Sequence, residues 1–518
     1  MKRIATAGRR AFLRRALALG AAGCLPPLAG CAASRPRFAS YPFTLGVASG
    51  APREDGFVIW TRLAPRPLEG GGMEPTPVTV EWEVASEESF ARIVRRGTGI
   101  AMPESVHALH VEVAGLEPAR EYWYRFRAAD ATSAVGRTRT APSPGHGDER
   151  LRLALASCQQ YEQGWYVAHR HLAREGVDVV AFVGDYIYES SWGGHRVRHH
   201  AIGEPYTLDQ YRARYAQYKT DPDLQAAHAC APWIVTWDDH EVDNDYADDE
   251  AEDLEPHFLA RRAAAYRAYL EHMPVRPSEV HGNGGYRIYG RHAWGSLALL
   301  HVLDDRQYRD HEVCPKPTRG GSNIVGPECV ERLDPRRTIL GFEQERWLAR
   351  GLSESRAAWN LVVQQTLMAP AGRSYPDGRR YWTDGWDGYP AARERLLEAL
   401  ASSGARNPVV LGGDVHANYV ADLHRRPEDP GTPIVATEFC GTSITSQGIA
   451  PAVIDRIRAA NPHIHFAEST LRGYVLLEFG RDRAEARLRV VETVKERESP
   501  VATRARYAVE DGRPGTQA

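Results

Sequence analysis

Several short apolar runs in this chain end in side chains that can bind metal. Residues 408–413 lead into Asp414-Val415-His416. Residues 177–183, broken only by Asp178, lead into Gly184-Asp185-Tyr186-Ile187-Tyr188. Residues 233–237 lead into Asp238-Asp239-His240-Glu241. Runs this brief and this continuous predict strands covered on both faces. In sheets of that kind, sites lie beyond the carboxyl ends of the strands. The pattern therefore predicts that carboxylate, imidazole and phenol groups gather at one edge of a sheet.

The texture along the chain changes once. Residues 43–142 alternate in the strand manner, as in Val78-Thr79-Val80-Glu81-Trp82-Glu83-Val84 and Glu121-Tyr122-Trp123-Tyr124-Arg125-Phe126-Arg127. Short alternating strands between Gly/Pro turns predict a small sandwich. The stretch from Leu116 and Pro118 to Tyr122 and Tyr124 is similar to the corner motif of fibronectin type III domains. Residues 141–149 read as a linker. From Leu151 the pattern is a strand, a helical stretch to about Glu175 and a second strand, a βαβ unit. Helices are predicted over 256–273, 342–353 and 391–402, and a strand over 296–303. Strand texture returns at 474–478 and 486–494, expected to finish a second sheet. The fold class is α/β, with the N-terminal all-β sandwich ahead of an α/β sheet system flanked by helices.

Composition changes this picture mainly at the N-terminus. Lys2, Arg3, Arg9, Arg10, Arg14 and Arg15 precede an apolar stretch over 16–28, the layout of a signal peptide, assigned to residues 1–33. Gly8-Arg9-Arg10-Ala11-Phe12-Leu13 resembles the twin-arginine export motif, which implies the twin-arginine machinery as a partner. Leu28-Ala29-Gly30-Cys31 resembles a lipoprotein box with Cys31 acylated; the alternative is ordinary cleavage near Ala32-Ala33. Periplasm or cell surface is the expected location, and a lipid at Cys31 the only expected membrane contact. Residues 1–30 carry six Lys/Arg and no Asp/Glu, so the remainder holds 58 basic against 67 acidic residues. That balance predicts no nucleic-acid-binding surface, and a phosphate-handling site would need the charge of bound metal ions. Cys314 and Cys329 flank a Pro/Gly/Ser-rich loop and read as a disulfide in an oxidising compartment. Cys230 and Cys440 read as buried apolar residues.

In chain order the candidate donors are Cys158, Asp185, Tyr188, Asp238, Asp239, His240, Asn244, Asp245, Asp387, Asp414 and His416. Carboxylates suit Ca²⁺, Mg²⁺ or Mn²⁺, whereas thiolate with imidazole selects a transition metal, so the mixture predicts more than one kind of metal. Any one of these residues has an ordinary structural role to fall back on. Their joint occurrence at strand ends is what points to a site.

Gly-Asp-x-x-Tyr, then a His-Glu pair after acidic residues, then a final Asp-x-His element is similar to calcineurin-like metallophosphoesterases and purple acid phosphatases. The chain departs from that signature at Cys158, Asp239 and Asp414, and these departures resemble the alkaline phosphatase D family. Trp237 to Asn244, Trp386-Asp387-Gly388-Tyr389-Pro390, Asp304 to Arg309 and Glu438 to Ser443 all resemble its motifs. The resemblance implies a fibronectin-III-like domain over 43–142 and a metallophosphoesterase αββα sandwich over 151–500. It implies one Fe³⁺ held by Cys158, Asp185, Tyr188 and His416. It also implies two Ca²⁺ held by Asp238, Asp239, Asn244 or Asp245, Asp387 and Asp414. Asp305 stands where the family has Thr.

The expected activity is an exported alkaline phosphatase, likewise implied by the resemblance. It would hydrolyse phosphomonoesters, with phosphodiesters as further substrates, by a metal-activated water or hydroxide. His240 is the candidate general acid or an orienting group, and Arg306 a candidate phosphate contact or an internally paired arginine. Two alternatives are a phospholipase-type phosphodiesterase acting on lipid headgroups or teichoic-acid-like polymers, and a non-enzymatic surface lipoprotein. A monomer is expected.

Overall fold

The structure, a computed structural model, describes residues 38–146, 150–282, 285–427 and 429–517. The expectations placed on the leader, including Arg9, Arg10 and Cys31, lie outside the described residues.

Two sheets face one another. The first has ten strands in the order Arg513–Gln517, Val501–Glu510, Arg483–Val491, Arg472–Phe479, Leu151–Ala156, Val179–Val183, Pro232–Thr236, Val47–Arg53, Gly56–Arg62 and Ala108–Val113. The second runs Gly290–Trp294, Ala298–Val302, Trp359–Val363, Pro408–Gly412, Ile434–Cys440, Asn418–His424 and Ile464–Glu468. Leu155, Val183, Leu300, Leu361, Leu411 and Phe439 are buried in the core between them. Each such side chain contributes roughly 1.5–3 kcal/mol by leaving water. Helices Leu208–Lys219 and Phe258–His272 share the core on the outer face of the first sheet. Helices Gly341–Glu354, Pro390–Ser402 and Pro451–Ala460 do so for the second. The result is the αββα arrangement.

The central strands are parallel and their ends coincide. Phe182 pairs with Ala156, Val183 with Thr236, and Val363 with Leu411. The loops that follow them therefore leave from a common edge.

The architecture departs from the expectations at two places, on either side of the parallel core of the first sheet. Strands Arg472–Phe479 and Arg483–Val491 extend the first sheet, with Leu477 opposite Leu153, and do not finish the second. The N-terminal region does form two facing sheets around Phe43, Phe57, Ile59, Val84, Tyr124 and Phe126. One of those sheets is not separate, however. Val47–Arg53 pairs in parallel with Pro232–Thr236, so the ten-stranded sheet runs through both regions. Backbone ladders carry no side-chain code for which neighbour a strand takes. The corner at Tyr122 is built as its motif implies: the hydroxyl accepts from Glu117 N at 3.0 Å and donates to Glu117 O at 3.2 Å. Ala141, in the expected linker, is buried, and its amide donates to Arg53 O. Cys314 and Cys329 are joined by a disulfide, while Cys158, Cys230 and Cys440 are free. Among the described residues no helix is long and apolar enough to cross a membrane.

Lys219 closes the seam between the two regions. It is buried, with its ammonium 4.3 Å from the Trp60 ring centroid and 5.2 Å from that of Tyr186. Burial lowers its pKa to about 7. The unfolded chain then binds more protons between about pH 7 and 10.5, so stability rises with pH across that window. The effect is on the order of 4 kcal/mol in total. Lys219→Met is expected to flatten the rise. Denaturant midpoints of both proteins at pH 7 and pH 10 check this, and parallel changes in the two proteins would refute it.

Candidate metal centre

The loops leaving the common edge are held close by two glycines. A Cβ on Gly184, whose φ is +103°, would come within 2.3 Å of Asp238 Cβ. A Cβ on Gly413 would come within 2.4 Å of Ser157 Oγ. The two Gly-Asp pairs of the sequence thus let neighbouring strand ends touch. The next residues are bent sharply: Cys158, Asp185, Asp414 and His416 all have left-handed φ, between 51° and 64°. Non-glycine residues hold such backbone at a cost of about 1–3 kcal/mol each, and clusters of them mark functional sites.

Two strand ends are tied by Glu241. Its carboxylate accepts from Asp185 N at 3.0 Å, Asp238 N at 2.8 Å and Tyr186 N at 2.5 Å. Gln365 does the same from the second sheet, donating to Thr236 Oγ1 and Trp237 O.

On this frame the predicted donors converge. Ligand atoms of Cys158, Asp185 and His416 lie within 4.8 Å of one another, as do those of Asp185, Asp239 and His240 and those of Asp238, Asp239 and Asp414. Tyr188 Oη donates to Asp185 Oδ2 at 2.7 Å and lies 3.0 Å from His416 Nε2. His416 Nδ1 is 2.9 Å from Gln447 O. A carbonyl can only accept, so Nδ1 carries the hydrogen and Nε2 presents a lone pair. Burial, with Arg472 and His240 nearby, lowers His416 to about 3, which keeps that lone pair available.

Crowding of negative charge is severe. Burial first, and then neighbouring carboxylates, push Asp185, Asp245 and Asp414 well above the usual carboxylate range. Burial and Asp185 likewise raise the Cys158 thiol and the Tyr188 phenol. One buried oxygen on each of Asp185, Asp238, Asp239 and Asp414 has no hydrogen-bond partner. Buried polar atoms are rarely left so, and an ion is one of the standard explanations. Four orphaned carboxylate oxygens beside a thiol, a phenol and an imidazole fit a multi-metal site.

Other candidates have partners of their own. Arg306 is fully buried and paired with Asp238 and Asp384, with Asp239 at 3.5 Å, so its guanidinium balances the acidic cluster from within. Asp387 sits apart from the acidic clusters: Oδ1 accepts from Arg393 at 2.7 Å and Oδ2 from Ala371 N at 3.0 Å. Asp245 groups with Glu312 and Asp384, and Arg309 reaches into that group by pairing with Asp384. Asn244 lines the cavity and its backbone N–H donates to Glu189 Oε1 at 3.2 Å. Asp305 is buried behind the site, where Oδ2 accepts from Gln365 N. His240 Nδ1 is 2.7 Å from Glu189 Oε2, and the ring lies against Tyr188 at 4.0 Å between centroids. Burial alone would lower His240, but Glu189, Asp239 and Asp185 outweigh it and hold the ring well above its ordinary pKa.

Sequence reasoning did not single out Glu189, Glu312, Asp384, Ser446 or Gln447. Glu189 directly follows Tyr188, and Asp384 stands three residues before Asp387, so proximity to quoted motifs was the available signal. Ser446, which donates to Tyr188 Oη at 2.7 Å, had none.

Part of this donor set opens onto a cavity of about 690 Å³. Asp239, His240, Asp414 and His416 line it, with acidic residues Glu204, Asp243 and Asp253 from loops of the first sheet. Leu367, Trp382, Tyr419, Ile449 and Ile457 give it an apolar wall from the second.

A family model described as PhoD-like phosphatase matches residues 153–488, and one for the PhoD-like phosphatase N-terminal domain matches residues 30–142. Alkaline phosphatase D of Bacillus subtilis (strain 168) is 45% identical over 493 residues, 93% of this chain and 83% of that protein. A solved structure of PhoD aligns with a TM-score of 0.88 at 44% identity, covering 93% of each chain.

Proposed function

We infer the chemistry of this chain from the family to which it belongs, the PhoD-like phosphatases: it is a metal-dependent phosphoesterase of the alkaline phosphatase D type. A non-enzymatic role is set aside on that ground. The observation that carries the site assignment is the cluster of Asp185, Asp238, Asp239 and Asp414, each with a buried oxygen that accepts no hydrogen bond, in which Asp185 meets Cys158, Tyr188 and His416.

We assign one Fe³⁺ to Cys158, Asp185, Tyr188 and His416, because thiolate, phenolate and imidazole favour a transition ion. We assign two Ca²⁺ to Asp238, Asp239 and Asp414, with Asn244 or Asp245 adding an oxygen, because hard cations take oxygen ligands. Asp387 is left out of this set, since both its oxygens are engaged. When bound, these ions supply the positive charge and Lewis acidity that hydrolysis of a phosphoester requires.

The chain's own residues prepare the site. Glu241 fixes the spacing of the Asp185 and Asp238 loops. Gln447 sets the His416 tautomer, an orienting contact of the kind metal-ligating histidines use. Arg306 tempers the repulsion among the aspartates. His240, oriented through Nδ1 by Glu189, offers Nε2 to donate a proton to the leaving oxygen. The cavity holds far more than a phosphate, and its apolar wall favours diesters as well as monoesters. The alternative is a phospholipase-type diesterase, which predicts faster turnover of lipid-headgroup diesters than of soluble ones. Export by the twin-arginine route to the periplasm or cell surface, as a monomer, completes the proposal.

Metal analysis of the purified enzyme, with activity on one monoester and one diester, tests it. Ferric phenolate coordination should give a visible charge-transfer colour. Tyr188→Phe is expected to lose both colour and iron. A colourless, fully active enzyme containing only zinc would refute the iron assignment.

A further inference from the structure

The cavity is acidic on one side and apolar on the other, and among the described residues lining it Arg373 is the one Lys or Arg. It lies on strand Arg373–Tyr375, paired in antiparallel register with Gly378–Trp382. The other arginines near the site are committed. Arg306 and Arg309 hold Asp384, Arg393 holds Asp387, and Arg380 holds Asp377. No carboxylate among the described residues forms a salt bridge with Arg373. It is half-buried beside the apolar lining formed by Trp382, Tyr419 and Ile457. Its charge favours ionisation of the Tyr419 phenol, though less than burial opposes it, which places the two groups within electrostatic reach.

A guanidinium that has lost part of its hydration without gaining a counterion is paired below its capacity. Its planar fork suits carboxylate or phosphate oxygens. The scissile phosphoryl group belongs at the metal floor, where the orphaned carboxylates collect cations. Elsewhere in the cavity a second anion would meet Glu204, Asp243 or Asp253, which repel it. Arg373 is the place where such an anion gains.

We propose that Arg373 recognises a second anionic group on the substrate, a carboxylate or a phosphate, held away from the scissile phosphoester by the apolar wall. This rests on the phosphoesterase reading of the same site. It makes Arg373 a specificity residue that selects doubly anionic phosphoesters.

The test uses the metal-loaded enzyme and four soluble aryl esters: 4-carboxyphenyl phosphate, its neutral isostere 4-carbamoylphenyl phosphate, 1,4-phenylene bisphosphate and phenyl phosphate. In the wild type, KM should be about tenfold lower for at least one doubly anionic ester than for its neutral partner, with similar kcat. Arg373→Met should collapse that ratio to about one, and Arg373→Lys should retain part of it. A ratio seen only for the carboxylate, or only for the bisphosphate, identifies the anion. A wild-type ratio near one for both pairs overturns the inference. So does a variant that changes all four substrates equally, since Arg373 would then serve the scissile phosphate. Hydrolysis of none of the four would overturn the phosphoesterase reading, and this inference with it.

Discussion

Asp185→Asn is expected to lower kcat by about a thousandfold or more, roughly 4 kcal/mol of transition-state stabilisation. Asp185 belongs to two of the three donor groups at the site, one with Cys158 and His416 and the other with Asp239 and His240. Among the described donors it is the one shared by the Cys158–His416 group and the Asp239–His240 group. Asparagine keeps the size and one acceptor oxygen, so the backbone contact from Asp185 N to Glu241 persists. The variant should fold. Burial and neighbouring acids work against the Asp185 carboxylate, so the neutral amide should leave the metal-stripped protein at least as stable as the wild type. Turnover of a phosphomonoester, metal content and the Tm of the stripped protein are the measurements. Activity within tenfold of wild type with full metal content would remove Asp185 from its central role.

Removing divalent ions should abolish turnover and lower Tm by several degrees, and Ca²⁺ should restore both. Asp238, Asp239 and Asp414 lie within 4.8 Å of one another, with Arg306 and His240 the adjoining positive groups. Without further positive charge their repulsion is only partly compensated. An ion bound to the folded state alone stabilises it by about 4 kcal/mol at a thousandfold excess over its Kd. A calcium-selective chelator followed by calcium back-titration, read by kcat and by Tm, checks both parts. Full activity after chelation would refute the calcium assignment. Restoration by iron alone would reassign the carboxylate group.

Much of the candidate site was legible in the chain because its signals are local. An apolar run ending in Gly-Asp says that a buried strand stops and that the backbone turns tightly. Gly184 and Gly413 turned out to be the points where strand ends touch. Cys158, Asp185, Tyr188, Asp238, Asp239, Asp414 and His416 each sit within a few residues of a strand terminus, so naming the strands placed the donors. Asp387 shows the limit. Its loop was readable, but Arg393 returns from the following helix to take its carboxylate. Arg306 shows the same limit from the other side, since the choice between phosphate and internal partners depended on Asp384, 78 residues away.

By itself, then, the sequence determined the α/β class, the alternating β texture ahead of Leu151, the parallel core strands and the donor chemistry, all of which rest on periodicity and residue type. Tertiary structure alone decided three further things. It set strand order on either side of the parallel core, where Arg472–Phe479 joins Leu151–Ala156 and Val47–Arg53 joins Pro232–Thr236. It decided which charges cancel, and it placed Arg373 on the cavity lining in no salt bridge with a carboxylate of the described residues. The physical reason is common to all three. A strand's ladder is made of backbone groups that are alike in nearly every residue, and long charged side chains reach whatever the fold brings within a few ångströms.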